Sequence, residues 1–131
     1  MRVRTMGLAA SLALVAGTAL AQNGPRTFSS GYRFVEMSGE ELYHNVCRGC
    51  HMMDARGASG AGSYPSLAAN RNLDAAGYPV TMVVRGRRGM PPFGDMMNDA
   101  QIAAVVNYLR THFGNNYTDM VTAQDVTDAR H

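Results

Sequence analysis

The strongest hydrophobic pattern lies near the C-terminal end of the chain. Between positions 98 and 113 the apolar residues recur at helical spacing, at Ile102, Val105, Val106, Leu109 and Phe113. Asn98 followed three residues later by Gln101 is a reciprocal N-terminal capping pattern, and Gly114 suits a helix stop. The pattern predicts a core helix from Asn98 to Phe113.

Two shorter helices are predicted before it. The first begins at Ser38, where Glu41 completes a second capping pattern, and it runs directly into Cys47. The second covers residues 79–85, with a proline suited to its first position and Gly86 suited to its C-terminal cap. No strand pair or internal repeat is indicated. The chain is therefore predicted to be a small all-α domain with three or more short helices and long loops.

The remaining segments divide the chain into four parts. Residues 1–21 are predicted to be a cleaved signal peptide, 22–37 an extended arm, 38–114 the folded domain and 115–131 a polar surface tail with a short turn near 123–129. Aromatic residues at 28, 32 and 34 are expected to attach the arm to the domain. The folded part has little apolar material, so a large flat apolar cofactor would complete its core.

The predicted signal peptide also determines the charge of the mature protein. Two arginines are followed by an uncharged apolar segment and the sequence Ala19-Leu20-Ala21, which fits signal peptidase. A membrane anchor is the alternative, but about 15 apolar residues are fewer than the ~20 needed to span a membrane. Removal of Arg2 and Arg4 brings the formal net charge from +2 to zero. We expect a periplasmic protein without a membrane span and without affinity for nucleic acid.

The two cysteines of the chain lie in one motif, Cys47-Arg48-Gly49-Cys50-His51. C-x-x-C-H is typical of covalent attachment of a c-type haem, in which both thiols bond to the porphyrin and the histidine binds the iron. The alternatives are a disulfide, a thioredoxin-like redox pair and a zinc site. A redox pair would follow a strand, and zinc would need four ligands. The motif therefore predicts one covalent haem c.

A haem iron bound by His51 needs a ligand, water or nothing on its other face. Of the ten methionines, Met90 lies in a loop that Pro91 and Pro92 stiffen, where a ligand can be positioned at low entropic cost. The alternatives are Met96, Met97, His44 and His112. A thioether ligand would raise the reduction potential and would close the iron, so that the protein could only transfer single electrons.

Residues 38–114 resemble the class I cytochromes c, which bind one haem through histidine and methionine. The resemblance rests on CRGCH at 47–51, GMPPFG at 89–94 and NYLRTHFGN at 107–115. It implies a small cytochrome c fold wrapped around the haem, with Gly39, Tyr43 and Tyr108 at the crossing of the first and last helices. It also implies that the Pro65 carbonyl accepts a hydrogen bond from His51.

The sequences YPSLAAN at 64–70, RGMPPFG at 88–94 and the C-terminal tail are similar to those of cytochrome subunits that serve periplasmic dehydrogenases with flavin, quinone or molybdenum cofactors. This similarity implies an electron carrier rather than an enzyme. We expect such a dehydrogenase as donor and a downstream cytochrome or oxidase of the respiratory chain as acceptor. A lysine-free, neutral surface favours a dedicated partner.

Two other functions remain open from the sequence. One is a haem protein with an open iron, either peroxidase-like or gas-binding. The other is a haem-free interaction domain with a Cys47–Cys50 disulfide. The arginines at 85, 87 and 88 could surround the haem edge or be solvated.

Overall fold

The computed structural model describes residues 33–60 and 62–131 of the chain. The predicted signal peptide and the predicted contacts of Phe28 and Tyr32 lie outside the described residues. The described elements are α1 (Gly39–Leu42), a π-helical turn (Tyr43–Cys47), α2 (Arg48–His51), a 3-10 turn (Arg71–Leu73), α3 (Gly77–Arg85), α4 (Asp99–Thr111) and α5 (Ala123–Ala129). Apart from two isolated bridges, these residues form no β-structure. The predicted all-α fold is confirmed.

The crossing of α1 and α4 depends on Gly39. A Cβ atom at this position would overlap the carbonyl oxygen of Ala104 and lie 2.6 Å from the Cβ of Tyr108. The rings of Tyr43 and Tyr108 pack beside the crossing, with centroids 5.8 Å apart. The two helices can approach this closely only because residue 39 has no side chain. The crossing implied by the family resemblance is therefore present.

Helix α4 begins as the sequence predicts and ends slightly earlier. The Asn98 side chain accepts a hydrogen bond from the Gln101 backbone, and the Gln101 side chain accepts one from the Asn98 backbone, both at 2.9 Å. The helix ends at Thr111, because Phe113 and Gly114 both have positive φ angles, 57° and 80°. The predicted end at Phe113 is thus two residues late.

The capping pattern predicted at Ser38 forms only in part. The Ser38 hydroxyl accepts a hydrogen bond from the Glu41 backbone at 3.2 Å. The Glu41 carboxylate, however, accepts from that same hydroxyl at 2.8 Å rather than from the Ser38 backbone. Helix α3 begins at Gly77, two residues before the predicted start, and its predicted cap Gly86 has a φ of 65°.

Residues 115–131 pack against the domain more closely than the predicted surface tail would. Helix α5 is capped by Thr122 and Asp125, which exchange side chain to backbone hydrogen bonds. Val121 and Val126 are buried in the same hydrophobic core as α4. The tail is therefore an integral part of the described fold.

Arg110 of α4 is a buried charge whose role the sequence did not indicate. Its guanidinium donates to the carbonyl oxygens of Leu73 and Asp74 at 2.9 and 3.0 Å and to the Asp119 carboxylate at 2.6 Å. It also donates to the Asp119 carbonyl oxygen. A buried charge is tolerated when it is paired and hydrogen-bonded in this way. Arg110 thereby ties the segment before α3 and the segment before α5 to α4.

The described end of the arm is fixed to the start of α4. The Gln101 side chain donates to the carbonyl oxygens of Phe34 and Glu36, at 2.9 and 2.7 Å. The Phe34 ring also packs against Phe93, with centroids 6.1 Å apart, as expected for the aromatic residue of the arm. Within the described residues, no helix has both the length and the apolar character needed to cross a membrane.

We predict that Gly39→Ala lowers the free energy of unfolding by about 1–3 kcal/mol, because the added methyl group would overpack the helix crossing. Gly77→Ala is the matched control, since nothing lies within 4 Å of a Cβ at that position, and it should change stability by less than about 0.5 kcal/mol. Urea unfolding followed by far-ultraviolet circular dichroism measures both. Equal stabilities of the two variants would contradict the role assigned to Gly39.

A second prediction concerns acid stability. Hydrogen bonds from Thr127 and from Arg130 hold the pKa of Asp99 below its usual value in the folded protein. A carboxyl group with a lowered folded pKa stabilises the protein above its unfolded pKa of about 4, and this stabilisation disappears as the pH falls through the folded pKa. We expect Asp99→Asn to cost about 1–2 kcal/mol at pH 7. Thermal unfolding should show the difference from the unaltered protein shrinking below about pH 4; a pH-independent difference would contradict the prediction.

Candidate haem site

The Cys47–His51 motif lies at the end of a helical stretch that contains a π-helical turn. The Arg48 N–H bonds to the carbonyl oxygen of Tyr43, five residues earlier. The hydrogen-bonding pattern then returns to that of an α-helix in α2. Such wide turns are rare and often mark functional sites. The turn ends at Cys47 and so changes the direction of the helical faces between Tyr43 and the first cysteine, a feature that the sequence pattern did not indicate.

The two cysteines differ in their surroundings. Cys47 is partly buried and Cys50 is exposed, and the two do not form a disulfide. Burial, together with the nearby Cys50, raises the pKa of Cys47 to about 12. A thiol with a raised pKa does not resemble the reactive cysteine of a redox pair, whose pKa is lowered. Across residues 33–60 and 62–131, no group of three or more His, Cys, Asp or Glu side chains is arranged to hold a metal ion.

The ring of His51 is buried and oriented by Pro65. Its Nδ1 atom lies 3.1 Å from the Pro65 carbonyl oxygen, as the family resemblance implies. Because a carbonyl oxygen can only accept, Nδ1 carries the proton and donates it, which leaves the Nε2 lone pair free. Burial lowers the pKa of His51, and the bond to Pro65 acts in the opposite direction. A neutral, oriented imidazole with a free Nε2 fits an axial ligand of haem iron.

The loop after His51 is held by backbone hydrogen bonds rather than left as a flexible insert. The carbonyl oxygens of Cys50 and His51 each accept an N–H from the loop, from Ala58 and Gly57, both at 3.0 Å. Gly57 has a φ of 79°, and a Cβ there would overlap the Tyr64 carbonyl oxygen. The glycine allows residues 57 and 64 to approach each other, which brings Pro65 to the His51 ring.

Tyr43 adds a contact that the sequence did not predict. Its hydroxyl donates to the Met52 carbonyl oxygen at 2.7 Å and thus connects the π-helical turn to the residue after His51. The side chain is fully buried, and burial raises its pKa to about 12. The family resemblance predicted that Tyr43 packs at the helix crossing. Nothing in the sequence predicted which group its hydroxyl would contact.

Met90 lies in a tightly constrained loop, residues 86–94, which we call the Met90 loop. Its N–H and carbonyl groups each bond to Arg87 at 3.0 Å, and its side chain packs partly buried against the core. At Gly86 a Cβ would lie only 2.5 Å from the Met90 carbonyl oxygen and 2.6 Å from the Pro92 nitrogen. The loop is therefore stiff, as the two prolines predict.

The alternative axial ligands do not lie in the constrained loop that carries Met90. Met97 is buried in the core with 2% exposure, and Met96 is partly buried beside it. His112 is exposed and stacks on Tyr108, with ring centroids 4.1 Å apart. The side chains of Arg85, Arg87 and Arg88 are exposed, so both predicted roles for these residues stay open.

The structure joins His51 directly to Pro65, whereas the described contacts of Met90 are with Arg87 and the core. Two clefts of about 360 and 380 Å³ lie elsewhere, one beside Gly94 and Arg130 and the other beside Gly77 and Asp128. Neither cleft is lined by the Cys47–His51 motif or by Met90.

The helical fold, the two cysteines of the motif and the oriented His51 ring define a small helical domain suited to hold a c-type haem.

The family comparison agrees with this class. Residues 35–109 match the family model described as "Cytochrome C oxidase, cbb3-type, subunit III". The chain belongs to this cytochrome c family. The matched segment includes the C-x-x-C-H motif, Pro65 and Met90. Family membership confirms the predicted small cytochrome c fold, a haem c cofactor and the predicted class of electron-transfer protein.

The most similar relatives include three cytochrome subunits. The cytochrome c subunit of a quinone-type alcohol dehydrogenase from Gluconobacter oxydans (strain 621H) is 32% identical over 106 residues, which cover 71% of this chain and 22% of the relative. The gluconate 2-dehydrogenase cytochrome c subunit of Pantoea cypripedii is 32% identical over 105 residues, covering 71% and 24%. The fructose dehydrogenase cytochrome subunit of Gluconobacter japonicus is 32% identical over 93 residues, covering 59% and 19%. The match thus spans less than a quarter of each relative.

We predict that Gly57→Ala destabilises the protein by about 2–4 kcal/mol, because alanine is disfavoured at positive φ and its Cβ would meet the Tyr64 carbonyl oxygen. Gly60→Ala, in the same loop, is the control because nothing lies within 4 Å of a Cβ there. Thermal unfolding of the haem-loaded protein measures both. A Gly57→Ala protein as stable as the Gly60→Ala protein would show that the close approach of residues 57 and 64 is dispensable.

Proposed function

We propose that the chain is a mono-haem c-type cytochrome that carries single electrons in the periplasm. The observation that carries the proposal is the His51 ring, which is buried, neutral and held through Nδ1 by Pro65 so that Nε2 remains free. The single C-x-x-C-H motif supports one haem, bonded through Cys47 and Cys50. Met90 is the proposed second axial ligand.

The haem supplies a one-electron couple when it is bound, and the chain provides its surroundings. Cys47 and Cys50 lie three residues apart in helical geometry, where side chains are neighbours on one face. His51 is held in one tautomer by the Pro65 carbonyl, so the ligand atom needs no reorientation when the charge on the iron changes. The Met90 loop is stiffened by two prolines and by the two backbone hydrogen bonds between Met90 and Arg87. Thioether ligation favours the reduced state of the iron.

A closed iron distinguishes this function from peroxidase-like chemistry or gas binding, each of which needs a free or easily displaced position. Such a protein would also need a polar acid or base close to that position. Met90 is instead partly buried against the hydrophobic core. The constrained loop that carries Met90 supports a permanent ligand and hence electron transfer.

The proposed donor is a periplasmic dehydrogenase of the flavin, quinone or molybdenum type, and the proposed acceptor is a downstream cytochrome or oxidase of the respiratory chain. The dehydrogenase cytochrome subunits among the relatives support the first part. Export would remove residues 1–21 and leave the neutral charge that favours a dedicated partner. The arm at 22–37 and the domain at 38–114 remain proposed divisions of the mature chain, and the proposed C-terminal segment at 115–131 packs against that domain.

The ligand assignment is tested by absorption spectroscopy of the purified haem-loaded protein. The ferric form should show the weak long-wavelength band of a thioether–iron bond. Met90→Ala should abolish this band and lower the reduction potential, because the thioether raises it. Met120→Ala is the control, since Met120 is exposed in the segment after α4, and it should leave both properties unchanged.

Two outcomes would contradict the proposal. If the unaltered ferric protein lacks the band and its reduced form binds carbon monoxide rapidly, the iron is open and Met90 is not a ligand. If mass spectrometry of the exported protein shows the loss of two hydrogens instead of the gain of one haem, the cysteines form a disulfide and the protein carries no covalent cofactor.

A further inference from the structure

The two ends of the Met90 loop are fixed in different ways. At its start, the Gly86 N–H bonds to the Met82 carbonyl oxygen at 2.9 Å, a local contact at the end of α3. At its other end, the N–H groups of Phe93 and Gly94 bond to the carbonyl oxygens of Val83 and Val84, at 2.9 and 3.2 Å. The carbonyl group of Gly94 has a distant partner, the last arginine of the chain.

Arg130 contacts three acceptors around this end of the loop. Its Nη1 donates to the Gly94 carbonyl oxygen at 2.6 Å, and its Nη2 donates to the Met97 carbonyl oxygen at 3.0 Å. Its Nε donates to the Asp99 carboxylate at 2.6 Å. One guanidinium group therefore joins the end of the Met90 loop to the first turn of α4.

Arg130 is itself held in place by the packing of α5. Val126 is fully buried, and the Thr127 hydroxyl donates to the second oxygen of Asp99 at 2.6 Å. The Ala129 carbonyl oxygen accepts from Arg85 of α3 at 3.3 Å. Helix α5 is thus fixed to α3 and α4, so the guanidinium approaches Gly94 from a rigid support.

Gly94 permits this approach. A Cβ at position 94 would lie 2.8 Å from the Val84 carbonyl oxygen and 3.3 Å from Nη1 of Arg130. Only three residues separate Gly94 from Met90, and two of them are prolines with fixed φ angles. Movement at Gly94 is therefore transmitted to Met90 rather than absorbed between them.

We propose that Arg130 is a positioning residue that fixes the C-terminal end of the Met90 loop and so keeps the Met90 thioether in place on the iron. This inference rests on the proposed function, in which Met90 is the second axial ligand. A ligand held at both ends of its loop loses little conformational entropy on binding, and release of one end raises that cost. Residues 115–131 then serve the site through the contacts of Arg130 with the Met90 loop.

The test compares Arg130→Met with Thr127→Val in the haem-loaded full chain. Both substitutions remove a contact to Asp99 from α5 or the residue that follows it, but only the first also removes the bonds to Gly94 and Met97. The first measurement is the affinity of the ferric protein for added imidazole, which competes with the thioether. We expect Arg130→Met to bind imidazole about tenfold more tightly, because it loses bonds to a charged donor. Thr127→Val should stay within about twofold of the unaltered protein.

A second measurement does not depend on the iron ligand. Amide hydrogen exchange at Phe93 and Gly94 should accelerate in Arg130→Met and not in Thr127→Val, because these amides report directly on the loop end. Arg130→Lys keeps the charge but cannot reach three separated acceptors with a planar group, so it should behave like Arg130→Met in both measurements.

The outcomes separate the two proposals. If Arg130→Met and Thr127→Val change imidazole affinity and amide exchange to the same extent, Arg130 contributes only general stability and the inference is overturned. If the unaltered protein lacks the thioether band, the Met90 assignment fails, and with it the effect on the iron. Exchange at Phe93 and Gly94 then still decides whether Arg130 holds the loop.

Discussion

The close crossing of α1 and α4 at Gly39 is the contact on which the rest of the structure depends. It brings the backbone of the first helix against Ala104 and Tyr108, and the helical stretch that begins there ends in the C-x-x-C-H motif. The position of His51 relative to the core therefore depends on Gly39, which lies twelve residues earlier and has no side chain to separate the two helices. The Tyr43 hydroxyl then bonds to the Met52 carbonyl, on the other side of the motif. Backbone packing and one buried hydroxyl together fix the segment that has to hold the cofactor.

From this segment outward, the site is built by hydrogen bonds to backbone carbonyl groups. Pro65 orients His51, and the loop that carries Pro65 is itself bonded to the carbonyl oxygens of Cys50 and His51. The orientation of His51 and the path of the loop therefore depend on each other. A carbonyl partner also suits the chemistry, because it accepts a proton from Nδ1 without adding a charge beside the iron.

Features encoded within a few neighbouring residues could be predicted from the sequence, and features that depend on distant partners could not. The capping pair Asn98 and Gln101 and the helix stop at Gly86 are local, and both occur as expected. The π-helical turn differs from an α-helix by one residue in its hydrogen-bonding register, and the pattern of apolar positions does not distinguish the two over five residues. Arg110 reaches a partner 37 residues away along the chain. No periodic pattern indicates such a pairing.

The difference between local and distant contacts also changes the interpretation of the arginine content of the chain. A basic content made up only of arginine first suggested a property of the surface, relevant to docking. In the structure, Arg110 and Arg130 instead use their donors internally. Arg110 bonds to three backbone carbonyl groups and a carboxylate, and Arg130 bonds to two backbone carbonyl groups and a carboxylate. Lysine could not replace them, because its ammonium group is a compact point charge rather than a planar set of five donors. Part of the arginine content therefore reflects how this small domain ties its C-terminal segment to its core.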